Sequence, residues 1–153
     1  MKFTPRKINA FLLFKLPAAY FTGVRVTSIS RSQSEVKVKF RWVNQNPFKS
    51  MFWAVQGMAS ELSTGILVMQ KIAESGKKIS MLVTRQKGEF YKKAVGKITF
   101  KCLDGEKVSE AIQKTISNGE GQVIQLISEG FNEQNEKVSS FEYEWSVRLK
   151  KIN

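Results

Sequence analysis

One stretch of the chain, residues 50–70, decides the fold: SMFWAVQGMASELSTGILVMQ. Its single charged side chain is Glu61, and apolar residues occupy nearly every face of a helical projection. This pattern predicts a helix buried by the protein's own chain, running from about Met51 to Glu74 and ended by Gly76. An unpaired carboxylate in such a place costs several kcal/mol or shifts its pKa, so Glu61 is the first candidate functional residue.

Two glycines flank this acid at the spacing of one helical turn. Gly57 and Gly65 lie four residues before and after Glu61, and each costs about 1 kcal/mol relative to Ala in a helix interior. The missing side chains would leave room for a ligand beside the acid. They would equally allow a close approach of the helix to a sheet or another helix, and both interpretations stay open.

Composition narrows the classes of protein to consider. The chain has 153 residues, which fits one domain, residues 1–153, with an N-terminal helical segment, residues 1–22, packed on it. It contains one cysteine, Cys102, and no histidine, so we expect no disulfide, no metal site and no cofactor. No segment gives a convincing membrane span, because the apolar helix contains Glu61 and glycines. We therefore expect a cytoplasmic protein.

The formal net charge of +12 favours an anionic partner. Lys and Arg often alternate with apolar residues, which is typical of the solvated face of a strand. A phosphorylated coenzyme, a nucleic acid or an anionic membrane surface would each suit this charge. Because the sequence has no zinc finger, glycine-rich phosphate loop or aromatic RNA-binding motif, nucleic acid ranks last among these partners.

The remaining patterns predict helices and strands around the long helix. The amphipathic segment from about Pro5 to Phe21 predicts one helix kinked at Pro17 or two short ones, and residues 106–117 have helical spacing. Period-two alternation predicts six strands, at 24–29, 36–42, 79–86, 97–103, 122–131 and 138–149. The predicted fold class is α+β, with one curved antiparallel sheet of about six strands wrapped around the central helix.

The start of the long helix resembles a known family. From Asn46 to Glu61 the chain reads NPFKSMFWAVQGMASE. This is similar to the hotdog-fold thioesterases, and specifically to a small bacterial thioesterase-like branch of them. In that family an Asn precedes the helix, a His-Gly-Gly or Phe-Gly-Gly turn begins it, and an Asp or Glu follows two turns later. Asn46 matches the Asn, residues 52–54 fall on the turn without its glycine pair, and Glu61 falls on the acid.

The resemblance implies a hotdog fold and the hydrolysis of acyl-CoA or a related acyl thioester. The candidate catalytic residues are Glu61, Trp53 and Asn46. Glu61 would act as nucleophile or general base, and the backbone N–H of Trp53 would bind the oxyanion at the positive end of the helix dipole. The candidate substrate-binding residues, expected along an apolar acyl tunnel, are Phe52, Ala54, Gly57, Met58 and Gly65.

Alternative interpretations remain for the function and for each residue. The chain could be a non-catalytic hotdog module that binds an acyl or other apolar ligand, or a protein partner. Glu61 would then be structural, paired with Arg85, Lys87 or another strand cation. Asn46 also suits a helix-entry turn. Large aromatic side chains most often pack in the core or between subunits, which is the alternative for Trp42, Trp53 and Trp145. A cysteine on a strand most often packs as a small buried hydrophobic group, which is the alternative for Cys102.

The resemblance also implies an assembly. Hotdog domains pair their sheets edge to edge, and an unpaired edge strand is a liability that a two-fold dimer removes. We therefore expect a homodimer with the active cleft at the subunit boundary.

Overall fold

A computed structural model describes residues 2–151. The helices are α1 (Pro5–Lys15), α2 (Pro17–Phe21), α3 (Trp53–Ser75) and α4 (Gly105–Asn118). The strands are β1 (Arg25–Ile29), β2 (Ser34–Lys39), β3 (Ile79–Phe90), β4 (Lys97–Cys102), β5 (Gln122–Phe131) and β6 (Lys137–Leu149). The element order predicted from the sequence is confirmed.

The strands form one six-stranded sheet in the order β1-β2-β4-β5-β6-β3. Every pairing is antiparallel, as predicted. Helix α3 packs on this sheet through contacts with β2, β4, β5 and β6, and α4 packs beside it. The core therefore lies between the sheet and α3, where aliphatic side chains such as Ile66, Leu67 and Val68 are fully buried. Each such burial contributes about 1.5–3 kcal/mol.

Helix α3 confirms the predicted buried helix, with a start two residues later than expected. The backbone N–H of Met51 donates to Ala94 O, and that of Phe52 donates to Asn44 O. These non-local bonds hold both residues outside the helix, so α3 begins at Trp53. It ends as predicted at Gly76, whose φ of 65° is the left-handed conformation that glycine adopts without strain.

Strand β2 is shorter than predicted, and the expectation of a strand through Trp42 is wrong. The chain leaves the sheet after Lys39 and forms a short 3₁₀ turn at Trp42–Asn44. The buried Asn44 side chain fixes this turn, because its Oδ1 accepts from Arg41 N and its Nδ2 donates to Lys39 O and Thr22 O. Trp42 points outward with 81% of its surface exposed, so it lies outside the core of the protomer.

The two edges of the sheet differ. At the β1 edge, Asn9 on α1 donates from Nδ2 to Val26 O and accepts from Val26 N, both at 2.9 Å. Its side-chain amide thus satisfies the backbone groups that another strand would use. At the opposite edge, β3 pairs with β6 alone. Helix α1 therefore covers one edge, and the other is open.

Buried polar side chains fix α3 against the sheet. Ser60 Oγ lies 2.7 Å from Tyr143 OH, Ser63 Oγ donates to Ser128 Oγ at 2.7 Å, and Trp145 Nε1 donates to Thr64 Oγ1 at 2.9 Å. Paired in this way, these groups avoid the cost of buried unsatisfied hydrogen-bonding atoms. A shift of α3 along the sheet would break all of these bonds.

None of the helices within residues 2–151 has both the length and the apolarity to cross a bilayer.

Candidate active site

A cavity of about 490 Å³ opens at the N-terminus of α3. Its walls come from the loop before α3, from the first turn of α3 and from the segment that follows β3. Most of the lining is aromatic or aliphatic, and two lysines lie in it. The lining residues are Asn46, Pro47, Phe48, Ser50, Met51, Phe52, Trp53, Gln56, Phe90, Tyr91, Lys92, Lys93 and Ala94.

Asn46 organises the loop that enters α3. Its Oδ1 accepts hydrogen bonds from Phe48 N at 2.9 Å and from Ser50 N at 3.2 Å, and its Nδ2 donates to Ser50 Oγ at 3.0 Å. This is the behaviour of an Asx turn. The helix-entry role weighed for Asn46 is thus present in the structure, while its catalytic role stays a prediction.

The N-terminus of α3 has no side-chain cap. The capping position is the apolar Phe52, and the first backbone bonds of this end run from Val55 N and Gln56 N to Phe52 O. The N–H groups of Trp53 and Ala54 precede these donors, where an α-helix has no acceptor of its own. Uncapped amides at the positive end of the helix dipole are suited to bind an oxyanion or another anion.

The Trp53 side chain lines this cavity and is 53% exposed. It packs edge to face against Phe52, with ring centroids 6.1 Å apart. The predicted site residues Asn46, Phe52 and Trp53 are therefore brought together.

Gln56 was not among the residues predicted from the sequence. It lies one turn into α3 at the cavity wall, only 4% exposed, and its Oε1 is buried without a hydrogen-bond partner. The sequence carries no distinctive signal for it, because Gln70 and several hydroxyl side chains occur in the same helix.

Glu61 lies in a second, smaller cavity of about 210 Å³, between α3 and the junction of α1 and α2. Burial raises the pKa of its carboxyl above the ordinary value of 4.5, with no charged group offsetting this effect. Within residues 2–151 no cation lies within 4.0 Å of it. Lys87, weighed as its partner, instead pairs with Glu89 at 3.2 Å. Of the predicted substrate-binding residues, Met58 lines this second cavity.

The two flanking glycines have different surroundings. A Cβ at Gly65 would lie 3.2 Å from the Trp145 ring, whereas a Cβ at Gly57 would meet only the Trp53 ring at 3.8 Å. The space at Gly65 is thus occupied by Trp145 of the sheet, as the close-approach interpretation has it. Gly57, Gly65 and Ala54 line neither of the two cavities.

Within residues 2–151 we find neither a cluster of metal-ligating side chains nor a reactive thiol. No group of three or more His, Cys, Asp and Glu side chains there could hold a metal ion. Cys102 is buried in β4, and burial raises the pKa of its thiol to about 12, which keeps it protonated and unreactive.

Solved structures define the class of this protein as the hotdog fold. A Pseudomonas aeruginosa protein of unknown function, described as a probable thioesterase, is 19% identical, with a TM-score of 0.81 over 96% of this chain and 97% of its own. A Chlorobaculum tepidum protein of unknown function is 17% identical, with a TM-score of 0.82 over 95% and 94% of the two chains. A thioesterase from Haemophilus influenzae is 12% identical, with a TM-score of 0.72 over 97% and 93%.

By sequence, residues 5–147 match the family described as Domain of unknown function (DUF4442). The chain belongs to that family. Among curated proteins, none matches it. The hotdog fold, predicted from the order of helices and strands and from the resemblance at residues 46–61, is confirmed, and so is the resemblance to thioesterase-like proteins.

Proposed function

We propose that this protein hydrolyses acyl thioesters, either of coenzyme A or of a related carrier. The observation that carries the proposal is the uncapped N-terminus of α3, which opens onto a large apolar cavity with Lys92 and Lys93 at its wall. The amides suit the oxyanion, the aromatic wall suits an acyl group, and the lysines suit the phosphates of a coenzyme. The thioesterases among the structural neighbours support the same class of reaction.

Glu61 is the proposed base or nucleophile. As a base it takes a proton from water while the water oxygen attacks the thioester carbonyl carbon. The negative charge that develops on the carbonyl oxygen is stabilised by the amides at the start of α3. The carbon–sulfur bond then breaks, the thiolate takes up the proton, and the carboxylic acid is released. The raised pKa of Glu61 makes it a stronger base than an ordinary carboxylate.

One chain alone does not bring these groups together. Glu61 follows Trp53 by eight residues, which is about 12 Å along a helix axis at 1.5 Å per residue. An oxyanion donor and an attacking group on one carbonyl must each lie about 3 Å from the reacting atoms. We therefore propose a homodimer, paired through the open β3 edge, in which Glu61 of one protomer faces the α3 N-terminus of the partner subunit.

The second candidate function is a non-catalytic binding module. It is favoured by the bulky Trp53 side chain, which stands where the resembled family has a glycine and which lines the cavity together with Phe52. In this alternative the cavity holds an acyl group or another apolar ligand, and no water is activated.

A hydrolysis screen separates the two candidates. Wild-type protein is tested on acyl-CoA thioesters of increasing chain length and on arylacyl-CoA thioesters, with Glu61→Gln as the matched variant. We expect turnover by the wild type and a loss of at least about 100-fold in Glu61→Gln, because the amide keeps the shape but cannot accept the proton. Binding of a non-hydrolysable thioether should be unchanged in the variant. A wild type that binds the thioether but turns over no thioester would favour the binding module.

A further inference from the structure

Two cross-strand pairs of the sheet join side chains of the same charge. Arg25 on β1 stands directly opposite Lys37 on β2, and Lys39 on β2 stands directly opposite Lys97 on β4. Directly opposite residues point to the same side of a sheet, and so do residues two apart on one strand, so all four cations share one face. Because like charges in opposite positions destabilise a sheet, this arrangement costs stability in the free protein.

The four cations lack compensating acids. Their face is the solvent side of the sheet, because Val38 between the two β2 lysines is buried. Within residues 2–151, no acidic side chain lies within 4.0 Å of any of the four charged groups. Glu133 accepts from the backbone N–H of Lys97 at 2.9 Å without pairing with its ammonium, and the Arg25 guanidinium lies 3.6 Å from the centre of the Tyr20 ring. The face therefore suits an anionic partner.

Exposed apolar side chains adjoin the same end of the sheet. Strand β1 begins at Arg25, β2 ends at Lys39 and β4 begins at Lys97, so three of the four cations mark this end. Large exposed apolar side chains lie in the segments next to these strand ends; they are Phe21, Trp42, Val43 and Val95. An apolar patch of this kind on a protein surface indicates a site of interaction.

Hydrogen bonds hold these segments together. The Asn44 side chain donates to Thr22 O and to Lys39 O, both at 2.9 Å, and Phe40 N donates to Gly96 O at 2.8 Å. Thr22, Asn44 and Gly96 are direct sequence neighbours of the exposed apolar side chains. The four cations and the four apolar side chains thus form one surface, which we call the basic rim.

The composition of the basic rim distinguishes between anionic partners. Tryptophan and aliphatic side chains beside cations suit a bilayer with anionic lipids, where the apolar groups enter the headgroup boundary and the cations meet the headgroup charges. Single-stranded nucleic acid would satisfy the cations, but its bases stack on aromatic rings and would leave the valines unused. Two copies of this chain would repel each other across this surface, since each carries a net charge of +12.

We propose that the basic rim binds the surface of a bilayer that contains anionic lipids. Trp42 enters the headgroup boundary, and Lys39 and Lys97 contact the headgroup phosphates and carboxylates. This inference is independent of the proposed function, because no residue of the basic rim lines the cavity at the N-terminus of α3.

Vesicle flotation tests the role of charge. Vesicles of phosphatidylcholine are compared with vesicles of an equimolar mixture of phosphatidylcholine and phosphatidylserine. The wild type should bind the mixed vesicles at least about tenfold more tightly, and added salt should reduce this preference. The double variant Lys39→Gln/Lys97→Gln should lose at least about tenfold in binding to the mixed vesicles. Equal binding of the wild type to both vesicles, or binding to neither, overturns the proposal.

A matched control removes the same amount of charge elsewhere. Lys78 and Lys114 are exposed and lie near the opposite end of the sheet, where Ile79 pairs with Leu149 and Leu149 N donates to Thr115 Oγ1. Lys78→Gln/Lys114→Gln should therefore stay within about twofold of the wild type. A loss as large as that of Lys39→Gln/Lys97→Gln would show that only the net charge matters, which contradicts a localised rim.

Trp42→Ser tests whether an apolar side chain enters the bilayer. It should weaken binding to the mixed vesicles by about tenfold, and Trp42→Phe should keep most of the affinity. Leu103→Ser, at an exposed apolar position beyond the other end of β4, serves as the control and should bind as the wild type does. Unchanged binding by Trp42→Ser overturns the proposal, because a purely electrostatic contact needs no inserted side chain.

Thermal unfolding separates lipid binding from a structural role. Because the Lys39–Lys97 pair is repulsive in the free protein, Lys39→Gln/Lys97→Gln should raise the Tm while it weakens vesicle binding. A lower Tm would show that stabilising contacts hold these cations in the free chain, contrary to the proposal.

Other partners and other failures give different results. Binding of the wild type to a single-stranded oligonucleotide or to polyglutamate, with no preference for the mixed vesicles, overturns the proposal in favour of a nucleic acid or an acidic protein. A wild type that prefers the mixed vesicles but hydrolyses no thioester supports the basic rim and contradicts the hydrolase. Hydrolysis without vesicle binding does the reverse.

Discussion

At the residue scale, Glu61 combines partial burial with the lack of an ion-pair partner. Burial holds its pKa above 4.5 in the folded chain. The folded state therefore binds this proton more tightly than the unfolded state does, and the carboxyl's effect on stability becomes less favourable as the pH rises from 4.5 through the raised pKa. The charge that would activate water is thus one that the fold tolerates at a cost.

The first prediction follows from that cost. Glu61→Gln should raise the Tm at pH 7 to 8, and the gain should vanish below about pH 4.5, where the wild-type carboxyl is protonated in both states. Thermal unfolding of both proteins from pH 4 to pH 8 measures the effect. Glu142→Gln, at an exposed position on β6, serves as the control. A Tm of Glu61→Gln below that of the wild type at pH 7 would mean that the carboxylate has a stabilising partner.

A second prediction isolates the backbone N–H of Trp53 from its side chain. Trp53 is the first residue of α3, where proline is well tolerated, and Phe52 before it has φ −59° and ψ 132°, a conformation compatible with a following proline. Trp53→Pro should therefore fold but lower kcat by about 100- to 1,000-fold, as expected for loss of an oxyanion donor. Trp53→Ala keeps the N–H and should change KM more than kcat. Steady-state kinetics of both variants show whether turnover depends on the backbone N–H of Trp53 or on its indole side chain.

At the scale of the element, the two glycines of α3 provide a matched pair. Gly57→Ala should stabilise the protein by about 1 kcal/mol, because it improves helix propensity and its methyl group meets no close neighbour. Gly65→Ala should be less stable than Gly57→Ala, since the methyl group presses on Trp145, which its bond to Thr64 holds in place. Denaturant unfolding of both variants measures the difference. Equal gains would show that Trp145 can move aside.

The elements that the sequence predicts correctly are those whose signals are local. The presence of apolar residues on nearly every helical face of residues 50–70 predicts α3, and alternation along residues 138–149 predicts β6. The boundaries that differ depend on distant partners. Met51 and Phe52 stay outside α3 because Ala94 and Asn44 accept their N–H bonds, and no local pattern encodes either contact.

The residues of the candidate site also divide into those with a local signal in the sequence and those that depend on distant contacts. Glu61 stands out because it is the single charge in its segment, and Asn46 and Trp53 follow from the resemblance. The space at Gly65 is filled by the Trp145 ring. The two residues lie far apart in the sequence, so no local pattern predicts their contact. Gln56 is recognisable as a site residue only once the cavity beside it is seen, because a glutamine in a helix has no distinctive pattern.

At the scale of the whole molecule, the proposed two-chain site leads to a complementation experiment. Glu61→Gln and Trp53→Pro should each be inactive alone. When they are unfolded together and refolded, mixed dimers contain one site with both native groups, so about a quarter of the wild-type activity should return after random pairing. Separately refolded and then mixed proteins serve as the control. No recovery in verified mixed dimers would place both groups of each site in one chain.

The Asn9 side chain at the edge of β1 has a consequence for the size of any assembly. It occupies the N–H and the carbonyl of Val26, so we expect a neighbouring chain to pair beside β3 and not beside β1. Light scattering over a wide concentration range should therefore level off at the mass of two chains, and a mass that keeps rising would contradict this. A sheet with one open edge can pair with one further sheet, and the resulting pair has no open edge left. The Asn9 side chain on α1 would thus favour a closed dimer over an open-ended fibre.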